Sequence, residues 1–288
     1  MSGTLQGRTI VMSGGSRGIG LAIAVRAARD GANVALMAKT DQPHPKLPGT
    51  VHTAAEAIEE AGGRAMAVVG DVRDDAAVRD FVDQAAQHFG GIDIVVNNAS
   101  AIDLRPTSAL PVKSYDLMQS INVRGTFLLT QAAIPHLKRS EHAHVLTLSP
   151  PLDLDPKWVG PHLAYTLSKY GMSLCTMGFA EELRGDGVAA NSLWPRTLIA
   201  TAAVANLLGG EEALSQSRTP EIVADAAHAI LVRPPAGCTG NHFIDDEVLR
   251  DEGVTDLERY RTDPDSDGLA FDLYIDHDID AGVAGGAA

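Results

Sequence analysis

Thr9-Ile10-Val11-Met12-Ser13-Gly14-Gly15-Ser16-Arg17-Gly18-Ile19-Gly20 is an apolar run that breaks into a glycine-rich turn, and a helical pattern, 21–30, follows at once. Strand, glycine turn and helix in that order form the phosphate-cradling unit of a dinucleotide site. Glycines at 14, 18 and 20 let the main chain come close to a pyrophosphate. The helix that follows points its N-terminus at the same place. Gly15, Ser16, Arg17 and Ile19 complete the turn, and all seven residues from Gly14 to Gly20 are candidate cofactor contacts. A glycine pattern alone is often just a tight turn; its place between a strand and a helix gives it weight.

Outward from that turn, the alternation continues to the end of the chain. Strands are expected at 9–12, 33–38, 65–69, 92–97, 145–148, 188–193 and 242–244, and helices at 21–30, 53–61, 75–89, 115–138, 165–183 and 220–232. The strands are short continuous apolar runs, as buried parallel strands are. Right-handed crossovers then give helices on both faces. The expectation is an α/β protein with a single-domain Rossmann fold, a doubly wound parallel sheet of about seven strands flanked by helices. A polar, proline-rich loop, 42–49, interrupts the second crossover. Residues 1–245 read as the dinucleotide-binding and catalytic domain and 246–288 as an acidic, partly irregular C-terminal extension.

The composition limits what this domain can serve. Of the net charge of −14, the stretch from Asp245 onward, with fourteen acids and three bases, carries −11. So acidic a chain is a poor partner for nucleic acid, which needs clustered Lys and Arg. The acidic stretch itself is expected to be a solvated terminus. No apolar run reaches the roughly 20 residues needed to cross a bilayer, and the first residues lack an apolar signal core, so a cytoplasmic protein is expected. Two cysteines, Cys175 and Cys238, have no metal-site spacing and are expected to be reduced, and no metal is anticipated.

Tyr165-Thr166-Leu167-Ser168-Lys169 supplies the reacting groups. A tyrosine and a lysine four apart share one helix face, and the lysine charge would lower the phenol's pKa toward working pH. At the end of the second strand stands Ala38-Lys39-Thr40. No carboxylate is there to hold a ribose 2′-hydroxyl, and Lys39 and Arg17 can neutralise a 2′-phosphate. NADP(H) is therefore favoured over NAD(H), the alternative being that both cations are solvated surface charges. Asp71 could accept from the adenine amino group or cap the next helix. Asn97, Asn98 and Ala99, at the end of the fourth strand, suit main chain packed close to a cofactor, although Asn is common in turns.

Taken together, the glycine spacing at 14, 18 and 20, Asp71-Val72, Asn97-Asn98-Ala99, Asn122 and Tyr165/Lys169 resemble the short-chain dehydrogenase/reductase family over about residues 5–245. The resemblance implies that Tyr165 is the general acid/base and that Lys169 lowers its pKa and binds the nicotinamide ribose. It implies that Asn122 holds a water linking Lys169 to solvent, and that Val72, Pro195 and Thr197 line the cofactor. It also implies pairing through helices 115–138 and 165–183 into a homodimer or homotetramer. Two departures stand out. The family's substrate-polarising serine, about thirteen residues before the tyrosine, is replaced at that spacing by Leu152; Ser149 is the nearest hydroxyl, and Pro150 follows it. After the sixth strand, Pro195-Arg196-Thr197 replaces Pro-Gly, so Arg196 could attract an anionic substrate or make a salt bridge at the loop base. The apolar stretch 197–210 could be a mobile lid. The expected function is an NADP(H)-dependent oxidoreductase for a small-molecule ketone or secondary alcohol, apolar or lipid-like. The alternative is an NADP(H)-binding regulatory or scaffold protein with little turnover.

Overall fold

The computed structural model describes residues 3–43, 49–207 and 209–276. Seven strands, β1 (Thr9–Ser13), β2 (Asn33–Ala38), β3 (Arg64–Val69), β4 (Ile94–Asn97), β5 (His144–Thr147), β6 (Ala189–Trp194) and β7 (His242–Ile244), form one parallel sheet in the order β3-β2-β1-β4-β5-β6-β7. The order reverses between β1 and β4, and at such a switch point a crevice opens beyond the carboxyl ends of the strands. β1, β4, β5 and β6 are buried at every position, which accounts for their unbroken apolar or small-residue runs.

The helices are α1 (Gly18–Ala28), α2 (Val51–Glu60), α3 (Asp75–Phe89), α4 (Val112–Met118), α5 (Gly125–Leu137), α6 (Pro156–Val159), α7 (Leu163–Glu182), α8 (Ala202–Leu207), α9 (Gly210–Ser215), α10 (Glu221–Leu231) and α11 (Asp245–Asp251). One face of the sheet is closed by Ile23 of α1, Ile58 of α2 and Ile222 and Ile230 of α10. The other is closed by Phe81 of α3, Leu129 and Leu137 of α5 and Phe179 of α7. The helix starts are chemically marked. Thr50 caps α2 in a reciprocal box with Thr53, and Asp74 caps α3 through the N–H groups of Ala76 and Ala77. That excludes the capping role considered for Asp71.

The helix expected over 115–138 is three pieces: α4, a π turn at Gln119–Arg124, and α5. A π turn inserts a residue into the helical repeat, often at a functional position. Here it contains the fully buried Asn122. The short helices α6, α8, α9 and α11 fall in stretches with too few residues to show a period.

Residues 245–276 are not a solvated tail. Asp245 and Asp246 have no exposed surface, because Arg196 meets them: its main-chain N–H donates to Asp245 Oδ1 at 2.9 Å and its Nε to both oxygens of Asp246 at 2.8 Å. Leu269, Tyr260, Tyr274 and Ile275 are buried as well. Counting charges treats an acid as solvated; it cannot see a guanidinium delivered from fifty residues away. Part of the proline-rich loop, 44–48, and the end of the acidic stretch, 277–288, lie outside the described residues.

Candidate active site

A cleft of about 980 Å³ lies over the glycine turn at the β1/β4 switch point. Gly14 and Gly18 have positive φ, 78° and 57°. A Cβ at Gly14 would stand 2.5 Å from Asn98 Nδ2, and one at Gly20 would stand 2.4 Å from the same atom. Only glycine allows the turn and the β4 loop to close this far. Asn98 holds the junction by donating to Ser13 O at 3.2 Å, while Ser13 Oγ accepts from the N–H groups of Asn98 and Ala99. The first turn of α1 carries no acid, so its N–H groups face the cleft without a competing carboxylate. This donor set fits a dinucleotide. Gly14, Gly15, Ser16, Arg17, Gly18, Ile19, Lys39, Asp71, Val72, Asn98 and Ala99 all line the cleft, as the sequence led one to expect. Asn97 does not: its amide donates to Thr130 and Thr147 inside the core.

At the β2 end, Lys39 Nζ lies 3.2 Å from Asp71, and Arg73 clasps Asp71 through Nε and Nη2. Arg73 and Lys39 hold that carboxyl well below the usual carboxylate range. Lys39 remains mostly exposed, at 62 %. Arg17 Nη2 donates to Gly49 O at 2.7 Å, which sets its guanidinium beside the loop that starts α2.

The reacting residues sit apart from this open cleft. Tyr165 and Lys169 lie on α7 and are only 5 % and 3 % exposed. Lys169 Nζ donates to Leu148 O at 2.8 Å and stands 5.0 Å from the centre of the Trp194 ring. The acidified phenol expected from the spacing is not what this state contains. Burial holds the Tyr165 phenol well above its ordinary value, and burial lowers the Lys169 ammonium to about 7. Desolvation wins because the ammonium is turned to a carbonyl rather than to the phenol.

Asn122 joins α7 to the loop after β4. Its Oδ1 accepts from Ala101 N at 2.7 Å, and its Nδ2 donates to Ala101 O and to Ser168 Oγ. Ser168 in turn donates to Tyr165 O at 2.8 Å. Both amide hydrogens are spent on protein, so the side chain anchors the tyrosine helix. Ser149 is fully buried, and its Oγ meets no hydrogen-bond partner among the described residues. Leu152 packs in the apolar cluster around Tyr165 with Trp158, Trp194, Phe271 and Tyr274. Pro195 and Thr197 are buried under the same cover and do not line the open cleft.

That cover is the C-terminal segment. Trp194 Nε1 donates to Leu273 O at 2.9 Å, and the Tyr274 hydroxyl lies 3.1 Å from Thr166 Oγ1, one residue from Tyr165. The Tyr274 ring packs against Tyr170, Trp158 and Trp194. Arg196 turns away into its acids, so the salt bridge prevails over the anion site. Of the stretch expected as a lid, residues 200–203 and Asn206 line the cleft over the glycine turn, with Thr201 against Gly18. Sequence reasoning missed Ser168, Trp194 and Tyr274. One signal was present: Leu269-Ala270-Phe271-Asp272-Leu273-Tyr274-Ile275 is an apolar stretch inside an acidic one.

A profile of the family described as short chain dehydrogenase matches residues 8–211. The chain belongs to this family. Its members are oxidoreductases that use a nicotinamide dinucleotide. The relatives include hydroxysteroid dehydrogenase-like protein 2 of Danio rerio, 52% identical over 96% of this chain and 65% of that protein. The chain spans roughly half to two thirds of the length of the first such relatives. Among solved structures, a protein from Xanthomonas campestris described as a dehydrogenase is 53% identical with a TM-score of 0.92, covering 95% of this chain and 99% of its own. A short-chain dehydrogenase from Mycobacterium thermoresistibile is 56% identical with a TM-score of 0.90, covering 95% and 96%. These overlaps run past residue 211, so much of the C-terminal segment is part of what the chain shares with them.

Proposed function

We propose that the chain is an NADP(H)-dependent oxidoreductase that interconverts a ketone and a secondary alcohol on an apolar compound. The observation that carries this reading is the pairing of Tyr165 and Lys169 on α7, beside the sheet edge whose glycine turn forms the dinucleotide cradle. A bound nicotinamide supplies or accepts the hydride. The chain's own residues do the rest. Tyr165 exchanges a proton with the substrate oxygen. Lys169 leaves Leu148 O to reach the ribose and the phenol. Asn122, through Ser168, holds the Tyr165 main chain in place. The apolar walls from Leu152, Trp158 and Phe271 favour an apolar substrate and exclude water.

Lys39 and Arg17, with no carboxylate at the end of β2, support NADP(H). The exposed apolar side chains of Phe127 on α5 and of Leu167, Leu174 and Met177 on α7 support pairing of two copies through those helices. No helix among the described residues is long and apolar enough to cross a membrane, and a cytoplasmic location belongs to the same proposal. A second reading, a cofactor-binding protein with little turnover, is favoured by two features. The Ser149 hydroxyl is enclosed, and Leu152 stands where a donor is expected.

The test is NADPH consumption with a panel of ketones, with Tyr165→Phe as control. The variant should lose about 10²–10⁴-fold in turnover, the size of a general acid/base contribution, and keep its NADPH affinity. Undiminished turnover in Tyr165→Phe refutes the mechanism. Tight NADPH binding with no turnover across the panel favours the second reading.

A further inference from the structure

The lysine that follows β2 has a carboxylate against it. Lys39 follows β2 and Asp71 follows β3, and the two strands pair in parallel with Ala38 opposite Val69, so both residues reach the same rim of the cleft. Lys39 Nζ lies 3.2 Å from Asp71 Oδ2. A lysine so placed is cancelled by its neighbour, and an ionised carboxylate at this rim repels a phosphate. Arg73 changes that balance. Its main-chain N–H donates to Asp71 Oδ1 at 3.0 Å, its Nε to both oxygens at 3.0 Å, and its Nη2 to Oδ2 at 2.6 Å. The turn that brings it there is fixed. Asp74 N–H donates to Asp71 O at 2.9 Å, and Arg124 Nη1 donates to Arg73 O from the π turn.

We propose that Arg73 is a determinant of cofactor preference: by clasping Asp71 it neutralises that carboxylate and leaves the charge of Lys39 to a 2′-phosphate. The inference rests on the NADP(H) reading of the site. Arg73 does not line the cleft itself. It acts through Asp71 and is in that sense a positioning residue.

Charge and hydrogen-bonding capacity both support this role. Asp71, Arg73 and Lys39 together carry one positive charge, and Arg17, which lines the same cleft, brings the rim to two. A phosphomonoester carries about −1.5 to −2 at neutral pH, so the rim matches it. With Arg73 removed, Asp71 and Lys39 cancel and Arg17 alone remains to answer the phosphate. Capacity points the same way. An ionised carboxylate has about four lone-pair sites, and Arg73 and Lys39 between them occupy those of Asp71. None is left for the adenine amino group that the sequence suggested as its partner. Asp71 thus serves the phosphate of the nucleotide rather than its base.

The experiment is a fluorescence titration with NADPH and with NADH, read as the ratio of the two affinities. Arg73→Gln should lower the NADPH-to-NADH ratio by about tenfold, the effect of taking a unit charge from beside a phosphate dianion, while NADH affinity does not fall. Arg73→Lys, which keeps the charge, should keep most of the ratio. Removing both charges in Arg73→Gln/Asp71→Asn should return the ratio to within about twofold of the wild type. If Arg73→Gln does not fold, Asp71→Asn decides: it removes the carboxylate, so the ratio should rise with NADH affinity unchanged. An unchanged ratio in Arg73→Gln overturns the inference. So does a double variant as low as the single one, since Arg73 then touches the phosphate itself. Equal losses of NADPH and NADH affinity in Asp71→Asn also overturn it, by returning Asp71 to the adenine. A wild-type protein that binds both cofactors equally defeats the NADP(H) reading, and this inference falls with it. A wild type that prefers NADPH, with Arg73→Gln preferring it as strongly, defeats this inference alone.

Discussion

From Gly14 to Gly20 the crevice is open, lined by main-chain N–H groups and by cations at its β2 end, within a cleft of about 980 Å³. At Tyr165 and Lys169 the same sheet edge is roofed over, and the two side chains keep only 5 % and 3 % of their surface. The open half is made by one local segment, strand, turn and helix, whose shape follows from the φ values that glycine permits. The covered half is assembled from α7, the loop after β5, the end of β6 and a segment that returns from residues 269–276. Local chemistry and chain topology thus divide the site between them. In the proposed function, binding the dinucleotide falls to the first and handling the proton to the second.

The largest way to break the comparison is to release the roof. Arg196→Met removes the guanidinium that fills the pocket between Asp246 and Glu247. Stranding a buried carboxylate costs about 3–5 kcal/mol, and Arg250 at 3.0 Å keeps this case at the lower end. Urea unfolding should show that loss. Both tryptophans, Trp158 and Trp194, lie under the roof, so acrylamide should quench the variant more strongly while NADPH affinity stays within a fewfold. If quenching and affinity change together, the two halves are not independent.

That division also explains what could be read from the sequence. The seven strands, their parallel arrangement and the cleft-lining residues 14–19, 39, 71–72 and 98–99 were legible, because period, glycine position and strand ends are local properties. Tyr165 and Lys169 were legible as a pair on one helix face. Their ionisation was not: four-residue spacing says nothing of how deeply the pair is buried or which carbonyl the ammonium meets. Arg196 shows the same limit. Its two readings differ only by which acids fold back on it, and Asp245 and Asp246 are fifty residues away. The acidic stretch misled because a net charge averages buried acids with exposed ones.

A smaller effect sharpens the open half. Lys39→Glu places a carboxylate at the end of β2, where it can take a ribose 2′-hydroxyl and repels a 2′-phosphate. Arg73 still holds Asp71 in that variant. The ratio of NADPH to NADH affinity, measured by fluorescence titration, should fall by about tenfold or more, with Tyr165-dependent chemistry intact for whichever cofactor binds. An unchanged ratio removes the case for NADP(H).

The smallest effect concerns the pH dependence of the roof's anchor. Burial, and then the charge of Asp246, push the Asp245 carboxyl up to about 7. A carboxyl whose folded pKa is raised favours the folded state below its unfolded pKa, near 4, and loses that contribution as pH climbs through 7. Lys169, depressed to about 7, works in the opposite direction and loses its contribution as pH falls through that value. The stability difference between Asp245→Asn and wild type isolates the first term. Asparagine keeps an oxygen for the N–H groups of Arg196 and Asp246, so the fold has the same bonds with no charge to bury. From pH 4 to 8 the variant should gain on the wild type by on the order of 1 kcal/mol, read as urea midpoints at four or five pH values. A difference that stays flat places the titration elsewhere in the anchor. A difference of the opposite sign means that Asp245 is ionised throughout, held by Arg196 and Arg218, and that the roof is fastened by charge rather than by a neutral carboxyl.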